Sequence, residues 1–127
     1  MKKIKMIGLF TVLSIAFVVS GCGQPKPLYT YGNYSNSYYN LKKDNNADTA
    51  LELQQSIEYA IEHSEESLSG RVAPGMYANL GYIYLKGGKT NKAIESFTKE
   101  KSIYPESAHF MNRMIKKIEA TEGKKDD

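Results

Sequence analysis

One cysteine, no tryptophan, four prolines and two histidines are all that this 127-residue chain holds of those residue types. A single thiol, Cys22, has no partner for an intrachain disulfide. The metal-ligand spacings built from cysteine and histidine are missing, so no metal and no cofactor is expected. A catalytic thiolate needs a nearby base and a lowered pKa, and His63 and His109 both lie far from Cys22 in the sequence. Long apolar runs are scarce as well. The longest, Ile7 to Val19, is shorter than the roughly 20 residues of a spanning helix. Charge of one sign is lacking too. The formal net charge is +3, but beyond residue 21 there are 14 Lys+Arg against 14 Asp+Glu, because Lys2, Lys3 and Lys5 carry the excess. A chain balanced in this way offers no electrostatic case for a nucleic-acid partner.

What is present begins at the N-terminus. The three lysines, the short apolar run and the small residues after it describe a secretory signal peptide over residues 1–21. Val19-Ser20-Gly21-Cys22 resembles the bacterial lipobox. That resemblance implies acylation of the Cys22 sulfur, cleavage that makes Cys22 the first residue, and acylation of its nitrogen. One acyl chain holds a protein marginally, whereas two or more anchor it stably. The retention signal of the inner membrane resembles aspartate after the cysteine, and here Gly23 follows. The resemblance thus implies the periplasmic face of the outer membrane, where the source has one. The bland alternative is a free or buried cysteine behind an ordinary signal.

Residues 22–46 form a tyrosine-rich leader. Pro25 and Pro27 favour extended backbone, and the Gly32-Asn33 pair marks a turn. Five of the ten tyrosines follow: Tyr29, Tyr31, Tyr34, Tyr38 and Tyr39. A tyrosine ring buries apolar area while its hydroxyl stays wet. Some rings are expected to fold back onto the following domain, and those left exposed are candidates for contact with a partner or a membrane surface. A short helix is predicted over Ser35–Lys43.

Residues 47–120 read as an all-α domain and residues 121–127 as a polar tail. Thr49 and Glu52 suit a capping box. Leu53, Ile57, Ala60 and Ile61 then line one helical face, and "HSEESLSG" predicts a helix end at Gly70. The 34-residue stretch "PGMYANLGYIYLKGGKTNKAIESFTKEKSIYPES" (74–107) resembles a tetratricopeptide repeat. Tyr77, Leu80-Gly81 and Tyr84 match its first helix, and Gly87-Gly88 its turn. Ala93, Phe97 and Pro105 match its second helix. The resemblance implies close helix packing at Gly81 and Ala93, with Phe97 between the helices. Thr90 or Asn91 is predicted to cap the second helix. Glu100 departs from the pattern, which has alanine there; it is predicted to face solvent or to pair with Arg113 or Lys116. A last helix is predicted over Ser107–Ala120, with Phe110, Met111, Met114, Ile115 and Ile118 apolar.

The lipobox, "YGNYSNSYY", the single repeat and "PESAHFMNRMIKK" together resemble a family of small bacterial outer-membrane lipoproteins. That resemblance implies an envelope assembly, shared with other lipoproteins that include one similar to the curli secretion pore. An interaction or assembly module anchored in the cell envelope is therefore expected, with cell-wall maintenance, or an enzyme acting on envelope polymers, as the lesser alternatives. No enzyme is expected, since no acid–base pair or nucleophile elbow is recognisable. Gly87-Gly88-Lys89-Thr90 echoes the end of a phosphate loop but lacks the strand and upstream glycine. Glu62, Glu65 and Glu66 read as a solvated face.

Overall fold

The computed structural model describes residues 25–122. The signal segment, Cys22 and its expected acylation, and the end of the tail lie outside the described residues. Those described form five α-helices and two single 3₁₀ turns, with no strand among them.

The leader enters as extended chain and is held by backbone bonds. Leu68 N–H donates to the Pro27 carbonyl at 2.9 Å, and Ser69 N–H to the Leu28 carbonyl at 3.1 Å. Gly32 then turns the chain with φ +51°; a Cβ there would lie 2.8 Å from a ring carbon of Tyr59. Helix α1 (Tyr34–Lys43) follows. The fully buried Ser37 donates to Glu52 Oε1 at 3.2 Å, and Asn40 Nδ2 donates to the same carboxylate at 3.3 Å. This polar tie holds α1 against helix α2 (Ala47–Glu62).

Two expectations about α2 are corrected. Its N-cap is Asn46, whose side chain accepts from Thr49 N–H at 2.9 Å while Thr49 Oγ1 accepts from Asn46 N–H at 3.3 Å. Thr49 is thus the third helical residue of the box, and Glu52 is freed to bind α1. The helix ends at His63, not Gly70. Ser64 and Ser67 are buried there, and Ser67 Oγ donates to the Ser64 carbonyl at 2.6 Å. Serine hydroxyls that satisfy nearby backbone compete with helix continuation, and a 3₁₀ turn (Ser64–Glu66) results.

Helix α3 (Met76–Lys86) and helix α4 (Thr90–Ile103) form the most extensively packed pair. Gly81 is where they come closest. A Cβ on Gly81 would sit 2.7 Å from Phe97 Cε1. Ala93 and Phe97 are 0% and 1% exposed. Neither Thr90 nor Asn91 caps α4. Its N-cap is Lys89, without a side-chain bond. The turn is held instead by the C-terminal carbonyls of α3: Lys89 N–H donates to Tyr84 O at 2.8 Å and Gly88 N–H to Leu85 O at 3.1 Å. Gly88 supports this with φ +72°, which glycine adopts without penalty.

Pro105 opens a 3₁₀ turn (Pro105–Ser107) that leads into helix α5 (Ala108–Glu122). Met111 and Ile118 are buried against α4, with Met114 and Ile115 beside them. Phe110 does not join that face; it is 56% exposed. The helices pack in chain order, each against the next. One core cluster holds Leu53, Ile57, Ala60, Val72, Ala73, Met76 and Leu80, and a second holds Ala93, Phe97, Met111 and Ile118. Tyr84 packs against both.

Candidate functional site

Two features of the surface adjoin one another. The first is a row of tyrosines. Successive ring centroids of Tyr29, Tyr31, Tyr34 and Tyr38 lie 6.4, 6.4 and 5.9 Å apart, within the range of edge and offset aromatic contacts. Tyr29 and Tyr34 pack on the first core cluster, and Tyr34 Oη accepts from Asn79 Nδ2 at 2.9 Å. Tyr31, Tyr38 and Tyr39 are exposed. The leader's rings thus divide into two that fasten it to the body and three that face outward.

The second feature is an open groove of about 840 Å³. It is built where the C-terminal end of α1, the N-terminal half of α2 and the C-terminal end of α3 converge. Leu41, Ala50, Leu51, Leu53 and Ile83 give it apolar walls. Tyr38 belongs to both features, and Tyr82 and Tyr84 complete the aromatic lining. Lys42, Lys86 and Lys89 also line it, and no carboxylate does. Each lysine stands over a groove tyrosine: Lys42 over Tyr38 at 5.4 Å, Lys86 over Tyr82 at 6.0 Å and Lys89 over Tyr84 at 5.7 Å. Cation–π contact of this kind orients an ammonium without neutralising it. The ion pair found among the described residues, Lys99–Glu95, is elsewhere.

The inner wall is set by Tyr84. Its hydroxyl donates to Glu58 Oε1 at 2.8 Å, and Gln54 Nε2 donates to the same oxygen at 3.0 Å. Burial first, and then the Glu58 carboxylate, push the Tyr84 hydroxyl up from 10.0 to about 12. A phenol that holds its proton more tightly when folded contributes fully below the unfolded value. That contribution is lost as pH climbs from 10.0 through about 12. Tyr84→Phe is expected to cost about 1 kcal/mol at neutral pH, the scale of one part-exposed hydrogen bond. It is also expected to flatten the alkaline loss of stability. Urea denaturation of both proteins at about pH 8 and about pH 11 checks this; parallel pH dependences would refute it.

Of the residues expected to pack the repeat, Gly81 lies against Phe97 at the α3–α4 contact, Leu80 joins the first core cluster, Ala93 and Phe97 join the second, and Tyr84 packs on both. Leu80, Gly81, Ala93 and Phe97 are buried, Tyr77 and Tyr84 are half-buried, and Pro105 is exposed at the start of its turn. Glu100 is corrected: it is 3% exposed and makes no ion pair with Arg113 or Lys116. Its two oxygens accept from Gly75 N–H at 2.7 Å and Ala78 N–H at 3.2 Å. The N-cap of α3 is Gly75, which has no side chain to cap with. Glu100 supplies that cap from the neighbouring helix and places a carboxylate at the positive end of the α3 dipole.

The groove lysines, Tyr82 and Leu51 escaped the sequence reading. A signal for two of the pairs was available. Tyr38 and Lys42, and Tyr82 and Lys86, stand four residues apart, the spacing at which helical side chains meet. Among the described residues no helix is long and apolar enough to cross a membrane, and no cluster of three or more His, Cys, Asp or Glu is poised to hold a metal ion.

A family model described as Domain of unknown function (DUF4810) matches residues 28–114. The match runs from the tyrosine-rich leader into the last helix. No curated protein and no solved structure matches the chain.

Proposed function

The chain belongs to the DUF4810 family, and we propose that it is a lipid-anchored protein–protein interaction module of the bacterial envelope. The observation that carries this reading is the continuity of the outward tyrosines with the groove: Tyr38 belongs to both. Together they make one amphipathic surface, of the aromatic-rich kind found at interfaces. The tetratricopeptide-like pattern supports the same reading. A Cβ on Gly81 would meet Phe97, which is buried in one cluster with Ala93, a packing compatible with such a repeat, and helices α2 and α5 flank it as a lone repeat would need. The lipobox around Cys22 supports the address, with Gly23 favouring the outer membrane of a diderm source. The proposed partner is another envelope protein or lipoprotein, one similar to the curli secretion pore being a candidate.

Affinity capture from envelope extract, with the full chain expressed in its own host, tests this. The wild type is expected to mature, fractionate with membranes and recover one envelope protein specifically. Cys22→Ala is expected to leave the membrane fraction or to stall as an uncleaved precursor, with the helical domain still folded. Normal maturation of Cys22→Ala would refute the anchor, and wild-type capture of no envelope protein would refute the module.

A further inference from the structure

We propose that the lysine-rimmed groove takes an acidic peptide segment of a partner protein, with an aliphatic or aromatic side chain seated on the groove floor between carboxylates. The inference rests on the interaction-module reading and specifies its ligand. Three observations carry it. The floor is apolar and concave: Leu41, Leu51, Leu53 and Ile83 line a volume of about 840 Å³. That is room for several side chains but not for a folded domain. The charge is of one sign, because Lys42, Lys86 and Lys89 line the groove without any carboxylate beside them in the lining. Each of these ammonium groups lies over a tyrosine ring and has no carboxylate within salt-bridge distance among the described residues.

The carboxylates nearest in the chain do not fill that role. Asp44 and Asp48 flank the lining residues Asn45 and Ala47 but stay outside the groove. Glu52, between the lining residues Leu51 and Leu53, accepts from Ser37 and Asn40, and Glu58, behind Tyr84, accepts from Tyr84 and Gln54. Lysines over aromatic faces keep positive charge along the rim, so a ligand carrying carboxylates gains steering. Apolar contact on the floor supplies the affinity that rim charges do not. A phospholipid surface suits the geometry less well, because a flat headgroup layer cannot reach a concave apolar floor.

Panning a random peptide library against the full chain in neutral detergent tests the assignment, with phosphatidylglycerol vesicles as a second probe. Recovered peptides are expected to carry two or more Asp or Glu around Leu, Ile or Phe. Their binding is expected to weaken at least about tenfold in the triple variant Lys42→Gln, Lys86→Gln, Lys89→Gln, and to weaken in wild type as salt is raised. Circular dichroism of the triple variant should stay that of wild type, since all three lysines are exposed. Where the triple variant is unstable, the single variant Lys86→Gln is read in the same way, with about a twofold loss expected. Recovery of peptides without acidic bias, no enrichment at all, or equal binding by wild type and variant overturns the proposal. So does binding of the vesicles through the same lysines with no peptide enriched. Capture of the native envelope partner at unchanged yield by the triple variant sinks the groove assignment alone. Loss of capture by wild type sinks the module reading beneath it.

Discussion

Gly81→Leu is expected to lower the stability of the helical body by about 3 kcal/mol or more, and to shift its melting midpoint down by roughly 12 °C or beyond. The cause is local. Even a methyl on Gly81 would begin 2.7 Å from Phe97 Cε1. Phe97 is 1% exposed and packed in the second core cluster. Either α3 and α4 separate or the ring leaves its rotamer, and both forfeit packing in the second core cluster. Gly81→Ala sharpens the test. On helix propensity alone it should stabilise by about 0.5–1 kcal/mol, so a net loss can only come from the contact with Phe97. Gly87→Ala serves as the control, because its Cβ would meet only the Ile83 and Tyr84 carbonyl oxygens, at an ordinary 3.5 and 3.6 Å. Thermal and urea denaturation of the three variants would decide. Gly81→Leu melting with wild type would rule out the close approach of α3 and α4.

Glu100→Ala is expected to cost about 2–4 kcal/mol. It removes the acceptor for two backbone N–H groups, Gly75 at 2.7 Å and Ala78 at 3.2 Å, at the start of α3. Leaving a buried donor without a partner costs about 1–3 kcal/mol, and an empty space where a 3% exposed side chain stood adds to it. Glu100→Gln keeps one acceptor oxygen but loses the charge that complements the helix dipole. It should cost about half as much. Arg113→Ala and Lys116→Ala should leave stability within about 0.5 kcal/mol of wild type, as surface changes do. Urea midpoints measured across this set separate a carboxylate that caps a helix from one that pairs with α5. Loss in the arginine or lysine variants with none in Glu100→Ala would reverse the assignment.

These two positions differ in how far they could be read beforehand. The contact at Gly81 was legible because every participant lies inside one 34-residue pattern, and a glycine amid aromatics on one helical face demands a reason. Glu100 was not. Its donors lie 25 and 22 residues upstream, at a helix start whose own cap residue, Gly75, carries no side chain. Periodicity records which face of a helix is apolar, not which backbone groups another helix leaves wanting. The start of α2 was misplaced for a related reason. Asn46 and Thr49 are both capping residues, and only the observed bonds between them separate cap from third residue. Phe110 fits the spacing of the α5 stripe, but among the described residues no helix covers it. The leader's tyrosines were legible as a group, while the division between the fastening Tyr29 and Tyr34 and the outward Tyr31, Tyr38 and Tyr39 depends on where Gly32 turns the chain. The groove could not be seen at all, since three helix ends from separate parts of the sequence make it.

The backbone bond from Leu68 to the Pro27 carbonyl has a mechanical corollary. If Cys22 carries acyl chains as proposed, five residue steps would separate the bilayer from Pro27, where the chain is bonded to the bundle. At about 3.3–3.6 Å per residue that leash would be no longer than about 18 Å. On the proposed reading, such a leash would keep the bundle close to the headgroups, and a bound partner would have to present its docking strip at that same low altitude.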